Sequence, residues 1–321
     1  MKDKTIVVCR RVPRAVEERL KANYQLRLNP DDRVYDADEL VALASGADAL
    51  LICHSEKLTA SLIERLPGSI KVISTISVGF DHIDLGAAKD RGILVTNTPD
   101  VLNEATGETA MMLMLGAARR ASEGDRMVRE NRWNEWSLSF MVGTQLTAKR
   151  LGIVGMGRVG QVVARMARGF GMVIHYHNRR RLDPALEHGA IYHPTLDALL
   201  AKSEFLSLHC PATPDTRYLL NPERIDRLPP AAIVVNTARG SVVDDEALIG
   251  ALKSGRIAAA GLDVFNGEPN GIHPGYRELD NTFLLPHVGS ATHETRDAMG
   301  FRALDNLDAF FAGREPLDRV V

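Results

Sequence analysis

Short apolar runs alternate with amphipathic segments along almost the whole of this 321-residue chain, and that alternation limits its possible folds more than any other feature. Thr5–Cys9, Ala49–Cys53, Val72–Ile76 and Ile93–Thr96 read as buried strands. Helical patterns begin near Pro13 and cover Ala37–Ala44 and Ala60–Leu66 between them. After a long helical segment from Glu104 to about Asn131 a second series follows, with strands at Leu151–Val154, Met172–His177, Phe205–His209, Ala232–Asn236, Ala259–Val264 and Thr282–Leu285. A last helix runs from about Glu294 to Phe311. Strands that alternate with helices predict parallel sheets covered on both faces. Two series in a chain of this length predict an α/β protein of two doubly wound parallel-sheet domains, with the middle and last long helices crossing between them.

Bulk composition narrows the partners. Hydrophobic residues make up 45% and charged residues 25%, as in an ordinary soluble globular chain. A net charge of −2 and a pI of about 6.6 give no basic footprint for nucleic acid or a membrane surface, so neither is expected as a partner. Cys9, Cys53 and Cys210 are too scattered for a zinc pattern or a disulfide framework; reduced thiols and no metal are expected. The chain passes from Met1 into a strand-like run without a signal-peptide core, and no apolar stretch is long enough to span a bilayer. A cytoplasmic location is the expectation.

One hexamer carries specific chemistry. Gly155-Met156-Gly157-Arg158-Val159-Gly160 follows the strand Leu151–Val154 and opens a helix, Val159–Arg168. Alone, G-x-G-x-x-G is a weak signal; between a strand and a helix it points to a dinucleotide site. Gly155 permits the tight turn, Gly157 lets the backbone approach a pyrophosphate, and Gly160 allows close helix–strand packing. The helix N-terminus offers its N–H groups to the phosphates. The next strand ends at His177-Asn178-Arg179-Arg180-Arg181 instead of the usual acid that receives the adenosine ribose hydroxyls. Asn178 can bond a hydroxyl or a phosphate oxygen. Arg179 adds positive charge, and Arg180 or Arg181 a second, which favours the 2′-phosphate of NADP(H), with NAD(H) second.

Three further segments place polar residues just beyond apolar strands, where open α/β sheets bind ligands. They are Asn236-Thr237-Ala238-Arg239-Gly240, Asp263-Val264-Phe265 with Glu268-Pro269, and Pro286-His287-Val288-Gly289-Ser290. A site of this kind can combine a cation for an anionic substrate with a group that delivers a proton. Arg239 can supply the fork of donors, and His287 can supply the proton. Glu268 can pair with the imidazolium, orient it and keep it protonated. The other histidines, such as His54, His82 and His273, read as satisfied or solvated side chains.

Taken together, these four motifs in this order resemble the D-isomer-specific 2-hydroxyacid dehydrogenase family, and within it the glyoxylate/hydroxypyruvate reductases, including the branch that reduces 2-ketogluconate. The resemblance covers nearly the whole chain. It implies a Rossmann cofactor domain at 101–289 inserted into a flavodoxin-like substrate domain formed by 1–100 and 290–321. It assigns the catalytic roles to Arg239, Glu268 and His287, and gives Asp263 the nicotinamide carboxamide. Ser77–Asp84 matches the family loop whose backbone N–H groups, here those of Val78 and Gly79, hold the substrate carboxylate. By the same resemblance Leu102 lines the pocket, Ser290 reaches the substrate, Thr106 touches the cofactor, and Asp100–Glu104 is the interdomain crossover. Further residues expected at the cofactor are Arg158, Val159, Cys210, Pro211, Thr237, Ala238 and Gly289.

The resemblance also implies a homodimer through the cofactor domains. Phe140, with Trp136 as second candidate, is the expected aromatic that enters the partner's substrate pocket. Glu268 argues against a formate dehydrogenase, which pairs its His with Gln, and Val78 against a phosphite dehydrogenase, which places Lys there. The expected activity is reduction of glyoxylate and hydroxypyruvate, with 2-ketogluconate as a longer candidate. The alternative is a dinucleotide-sensing, corepressor-like module on the same fold.

Overall fold

The computed structural model describes every residue, Met1–Val321, as two compact units: Met1–Leu102 with Ser290–Val321, and Asn103–Gly289. The second unit is thus inserted into the chain of the first.

The first unit holds a five-stranded sheet of β1 (Thr5–Val8), β2 (Gln25–Leu28), β3 (Ala49–Ile52), β4 (Val72–Thr75) and β5 (Leu94–Thr96), in the order β2-β1-β3-β4-β5. Every pairing is parallel, and the order is that of flavodoxin-like sheets. Because side chains alternate across a strand, β1 supplies two cores: Ile6 and Val8 pack with Val16 and Leu20, while Val7 packs on the other face with Leu50 and Ile52. The last helix, His293–Phe311, closes the first of these cores with Ala303, Leu304 and Leu307.

The second unit holds seven parallel strands: β6 (Arg150–Val154), β7 (Val173–His177), β8 (Ile191–Tyr192), β9 (Phe205–Leu208), β10 (Ala232–Asn236), β11 (Ile257–Leu262) and β12 (Thr282–Leu284). Their order, β12-β11-β10-β9-β6-β7-β8, is the Rossmann order with one strand added at an edge. Both faces are again buried: Ala232 and Val234 of β10 enter one core, Ile233 and Val235 the other.

Three expectations change. β2 and the two-residue β8 have no apolar run to announce them; both are edge strands, and exposed Gln25 or Ile191 can face water there. β11 begins at Ile257 and ends at Leu262, two residues earlier than the apolar pattern predicts. The single helix expected over Glu104–Asn131 is two, Asn103–Ala118 and Ala121–Arg129. Arg120 between them takes a left-handed φ of 55°, and the Ala118 carbonyl accepts from the Thr144 N–H instead of continuing the helix. No helix is long and apolar enough to cross a membrane.

Candidate active site

Strand register brings the glycine loop together. Val154 stands beside His177 on one side and Leu208 on the other, so the turns after β6, β7 and β9 share one edge of the sheet. Gly155 has φ +94°, and a Cβ there would lie 2.7 Å from the His209 carbonyl. A Cβ on Gly160 would lie 2.3 Å from the Gly155 oxygen. Both positions therefore exclude a side chain. Gly157, which caps the helix Arg158–Gly169, faces open space, which leaves room for a phosphate at that N-terminus. This cradle fits a dinucleotide.

Asn178 has a task that composition did not reveal. Its Oδ1 accepts from the Met156 N–H at 2.7 Å, tying the end of β7 to the glycine loop. Arg179 and Arg180 beside it are exposed. Arg181, offered by the sequence as a second phosphate ligand, instead forms a two-point ion pair with buried Glu187, at 2.7 and 3.0 Å. Tyr176 donates to the same carboxylate at 2.6 Å. Arg181 and then Tyr176 hold the Glu187 carboxyl down to about 2. Glu187, six residues on from the arginine it binds, is the one signal in the sequence that could have foretold this pairing.

Cys210 follows β9, with its N–H 2.8 Å from where a Gly155 Cβ would be, and burial raises its thiol to about 11. The Pro211 carbonyl accepts from Thr216 Oγ1 at 2.7 Å. Thr237 Oγ1 lies 3.2 Å from His209 Nδ1, and His209 Nε2 lies 2.8 Å from Ser207 Oγ. His209 is a satisfied ring beneath the loops, as expected of the histidines outside the motif set.

The three polar segments converge because β10, β11 and β12 are neighbours whose ends align: Asn236 beside Leu262, and Leu262 beside Leu284. Buried Asn236 folds the turn that presents Arg239, donating to the Arg239 carbonyl at 2.9 Å and accepting from the Ala238 N–H at 2.9 Å. Gly240 lets this turn touch the next, since a Cβ there would lie 2.0 Å from the Phe265 carbonyl carbon. Glu268 Oε2 accepts from the Phe265 N–H at 2.9 Å, and its Oε1 lies 2.6 Å from His287 Nδ1. With Nδ1–H given to Glu268, Nε2 is the ring nitrogen through which His287 could pass a proton.

His287 itself has a left-handed φ of 55°, an uncommon conformation for a residue with a side chain. Asp263 holds it there. Its carboxylate is 1% exposed and accepts from the next two N–H groups, Val288 at 2.7 Å and Gly289 at 2.8 Å. Burial raises the Asp263 carboxyl above its usual range, against the pull of those donors and of His287. The resemblance gave Asp263 a nicotinamide contact; the bonds in this structure make it, in addition, the clamp of the His287 turn. Thr106 joins the clamp by donating to the Gly289 carbonyl at 3.2 Å.

Within the first unit, the Ser77–Asp84 loop follows β4. The Thr98 N–H donates to the Ser77 carbonyl at 2.9 Å, Asn97 Nδ2 to the Val78 carbonyl at 2.8 Å, and Ser77 Oγ to the Gly79 carbonyl at 2.7 Å. The N–H groups of Val78 and Gly79 donate to no group of the chain. Leu102 and Ser290 stand at the two junctions between the units. Phe140 and Trp136 lie in the stretch 131–145, where Phe140 is half-buried and Trp136 is 83% exposed.

Comparison with known proteins identifies the family. The family description "D-isomer specific 2-hydroxyacid dehydrogenase, NAD binding domain" matches residues 111–289. The chain belongs to the D-isomer specific 2-hydroxyacid dehydrogenase family. It is 47% identical to a glycerate dehydrogenase of Hyphomicrobium methylovorum over 317 residues, 98% of each chain. It is 41% identical to a glyoxylate reductase of Korarchaeum cryptofilum, over 98% of this chain and 95% of the other. A solved NADPH-dependent glyoxylate/hydroxypyruvate reductase from Sinorhizobium meliloti, in complex with NADP and malonate, is 34% identical with a TM-score of 0.88, over 99% of this chain and 97% of the other. The protein is an oxidoreductase, a 2-hydroxyacid dehydrogenase with an NAD-binding domain, and these relatives favour an enzyme over the dinucleotide-sensing alternative.

Burial pushes the His209 imidazole down to about 4, while an unfolded chain protonates it at about pH 6.5. The folded state therefore holds fewer protons between those values, and its stability is full above about pH 6.5 and declines as pH falls toward 4. Burial depresses His175 and His193 in the same direction. His209→Gln is expected to flatten the pH dependence of unfolding free energy in this window by up to about 1.4 kcal/mol per pH unit. Denaturation series at several pH values check this; an unchanged slope means His209 does not couple protonation to folding.

Proposed function

We propose that the protein reduces small 2-keto acids, glyoxylate and hydroxypyruvate first and 2-ketogluconate as a longer candidate, to D-2-hydroxy acids with NADPH, in the cytoplasm. The single observation that carries this reading is the aligned set on β10, β11 and β12: Arg239 on its pinned turn and His287 backed at 2.6 Å by Glu268. The relatives named glyoxylate reductase and glycerate dehydrogenase support the substrate class.

In this reading the Val78 and Gly79 N–H groups hold the substrate carboxylate, with Leu102 and Ser290 beside it. The Arg239 guanidinium forks onto the carboxylate and the keto oxygen, which draws electron density from the carbonyl carbon. A bound nicotinamide supplies the hydride. As charge builds on the oxygen, His287 Nε2 gives it a proton, and Glu268 stabilises the imidazolium before that transfer. Asp263 and Thr106 keep the His287 turn in place, and Asp263 also receives the nicotinamide carboxamide. The glycine loop, Arg158, Val159, Cys210, Pro211, Thr237, Ala238 and Gly289 bound the dinucleotide.

NADPH preference rests on what surrounds the end of β7. No carboxylate stands at Asn178–Arg180, and the nearby Glu187 is engaged by Arg181 and Tyr176. A 2′-phosphate would meet Arg179 and Arg180 without an opposing acid.

The assembly we propose is a homodimer through the cofactor domains. A groove on the second unit is lined by Met111, Met112, Leu115, Met166, Phe170 and Phe283, and the stretch 131–145 exposes Trp136 and, at 96%, Leu138. Apolar surface of this kind marks an interaction face. A second copy covers it, and Phe140 of the stretch reaches the partner's substrate.

Two variants test the catalytic roles. Arg239→Ala is expected to cut kcat/KM for glyoxylate by about 10²–10³-fold while NADPH binding stays near wild-type. Glu268→Gln is expected to lower kcat for glyoxylate by at least about 10-fold, because His287 loses the anion that orients its ring and stabilises its charge. Near-normal turnover in either variant rejects the role assigned to that residue.

NADPH is expected to be preferred over NADH by about 10- to 100-fold, from one charge-assisted contact. Arg179→Ala is expected to raise KM for NADPH and barely change that for NADH. Equal use of both cofactors by the wild type refutes the preference. Finally, sedimentation of the wild type is expected to give a dimer and that of Met112→Asp a monomer; a wild-type monomer at micromolar concentration removes the assembly.

A further inference from the structure

We propose that the side chain of Asn97 is a positioning residue for substrate: it fixes the direction of the Gly79 N–H and so sets the affinity for the carboxylate. The proposal rests on the reading that the Val78 and Gly79 amides hold that carboxylate.

The geometry follows from the planarity of the peptide bond. The Val78 carbonyl and the Gly79 N–H belong to one trans peptide unit and point in opposite directions. A partner that holds the carbonyl therefore aims the N–H. Asn97 Nδ2 holds the Val78 carbonyl at 2.8 Å. The same reasoning makes the Thr98 N–H, at 2.9 Å from the Ser77 carbonyl, the group that aims the Val78 N–H. Both holders sit just past the end of β5, the neighbour of β4 from which the loop springs. One is backbone and survives any substitution; the other depends on residue type.

A second device fixes the next peptide. Ser77 Oγ donates its one proton to the Gly79 carbonyl, so in its 2.8 Å contact with Thr75 Oγ1 it must accept. Thr75 has then spent its own proton, and in its 3.0 Å contact with His82 it accepts from Nε2–H. The chain of bonds thus defines which nitrogen of His82 carries a proton. It ends on the Gly79–Phe80 peptide and leaves the Val78–Gly79 peptide to Asn97.

Asn97 is itself well anchored. Its N–H donates to the Asp318 carbonyl at 3.2 Å, and its carbonyl accepts from Asn306 Nδ2 at 3.1 Å. These backbone bonds persist in side-chain variants, so substitution removes the one bond to Val78 and little else. An amide is the fitting side chain, because only its NH₂ end can serve a carbonyl; an ionised Asp of the same size would set oxygen against oxygen.

Asn97→Ala and the isosteric Asn97→Asp are to be compared with wild type as full-length protein. KM for glyoxylate is expected to rise about 5- to 30-fold, the value of one positioned hydrogen bond. KM for NADPH and the thermal midpoint are expected to stay near wild-type. In amide ¹H–¹⁵N spectra of the NADPH-bound protein, the Gly79 resonance is expected to shift on adding oxamate in wild type and to shift far less in the variants. A responsive wild type with equally responsive variants and an unchanged KM for glyoxylate overturns the role of Asn97 alone. So does a rise in both KM values together with a lower thermal midpoint, which marks a merely structural residue. A wild-type Gly79 amide indifferent to oxamate overturns the carboxylate reading itself, and the proposal with it.

Discussion

Both sheets of this protein are parallel throughout, and the rest of the structure follows from that constraint. A parallel sheet gathers the carboxyl ends of all its strands along one edge and must bury both faces under helices. Ligand-facing polar side chains are then most easily placed where a strand stops. Gly155, Asn178 and His209 meet because β6, β7 and β9 end side by side; Arg239, Glu268 and His287 meet because β10, β11 and β12 do. The chemistry is assembled by register, not by any one loop.

Loops at such an edge need internal anchors, and here polar side chains supply them, those of Asn236 and Asp263 fully buried. Asn236 shapes the turn of Arg239, Asp263 grips the two N–H groups after His287, and Asn178 grips the glycine loop. Each is tucked beside the strand end it serves, where an unmet donor or acceptor is costly. The left-handed backbone of His287 persists because Asp263 over-determines the turn that follows it. A similar arrangement recurs in the first unit, where Asn97 and Thr98, just after β5, hold the Val78 and Ser77 carbonyls.

Much of this is legible in the order of the amino acids. Buried strands such as Ala49–Ile52 and Ala232–Asn236 are continuous apolar runs, and a chain has few other ways to use them. Edge strands are not legible in the same way, since Gln25–Leu28 is half-solvated and loses the pattern that marks a buried strand. The break at Arg120 leaves no local trace because the residues around it are good helix formers; the interruption comes from Thr144, a residue distant in sequence that takes the Ala118 carbonyl.

What the sequence by itself determined was the family and the places where its polar motifs stand: a glycine loop between strand and helix, and an arginine, a glutamate and a histidine each placed just past an apolar run. Local order suffices for that, because strand ends and turn residues are written in neighbouring positions. What only the tertiary structure decided was the employment of individual polar groups. Arg181 has the charge of a phosphate ligand, yet Glu187 occupies it; Asp263 has the place of a cofactor contact, yet its oxygens also hold Val288 and Gly289. A hydrogen bond is a matter of ångströms between residues whose separation in sequence carries no information, so these assignments belong to the fold.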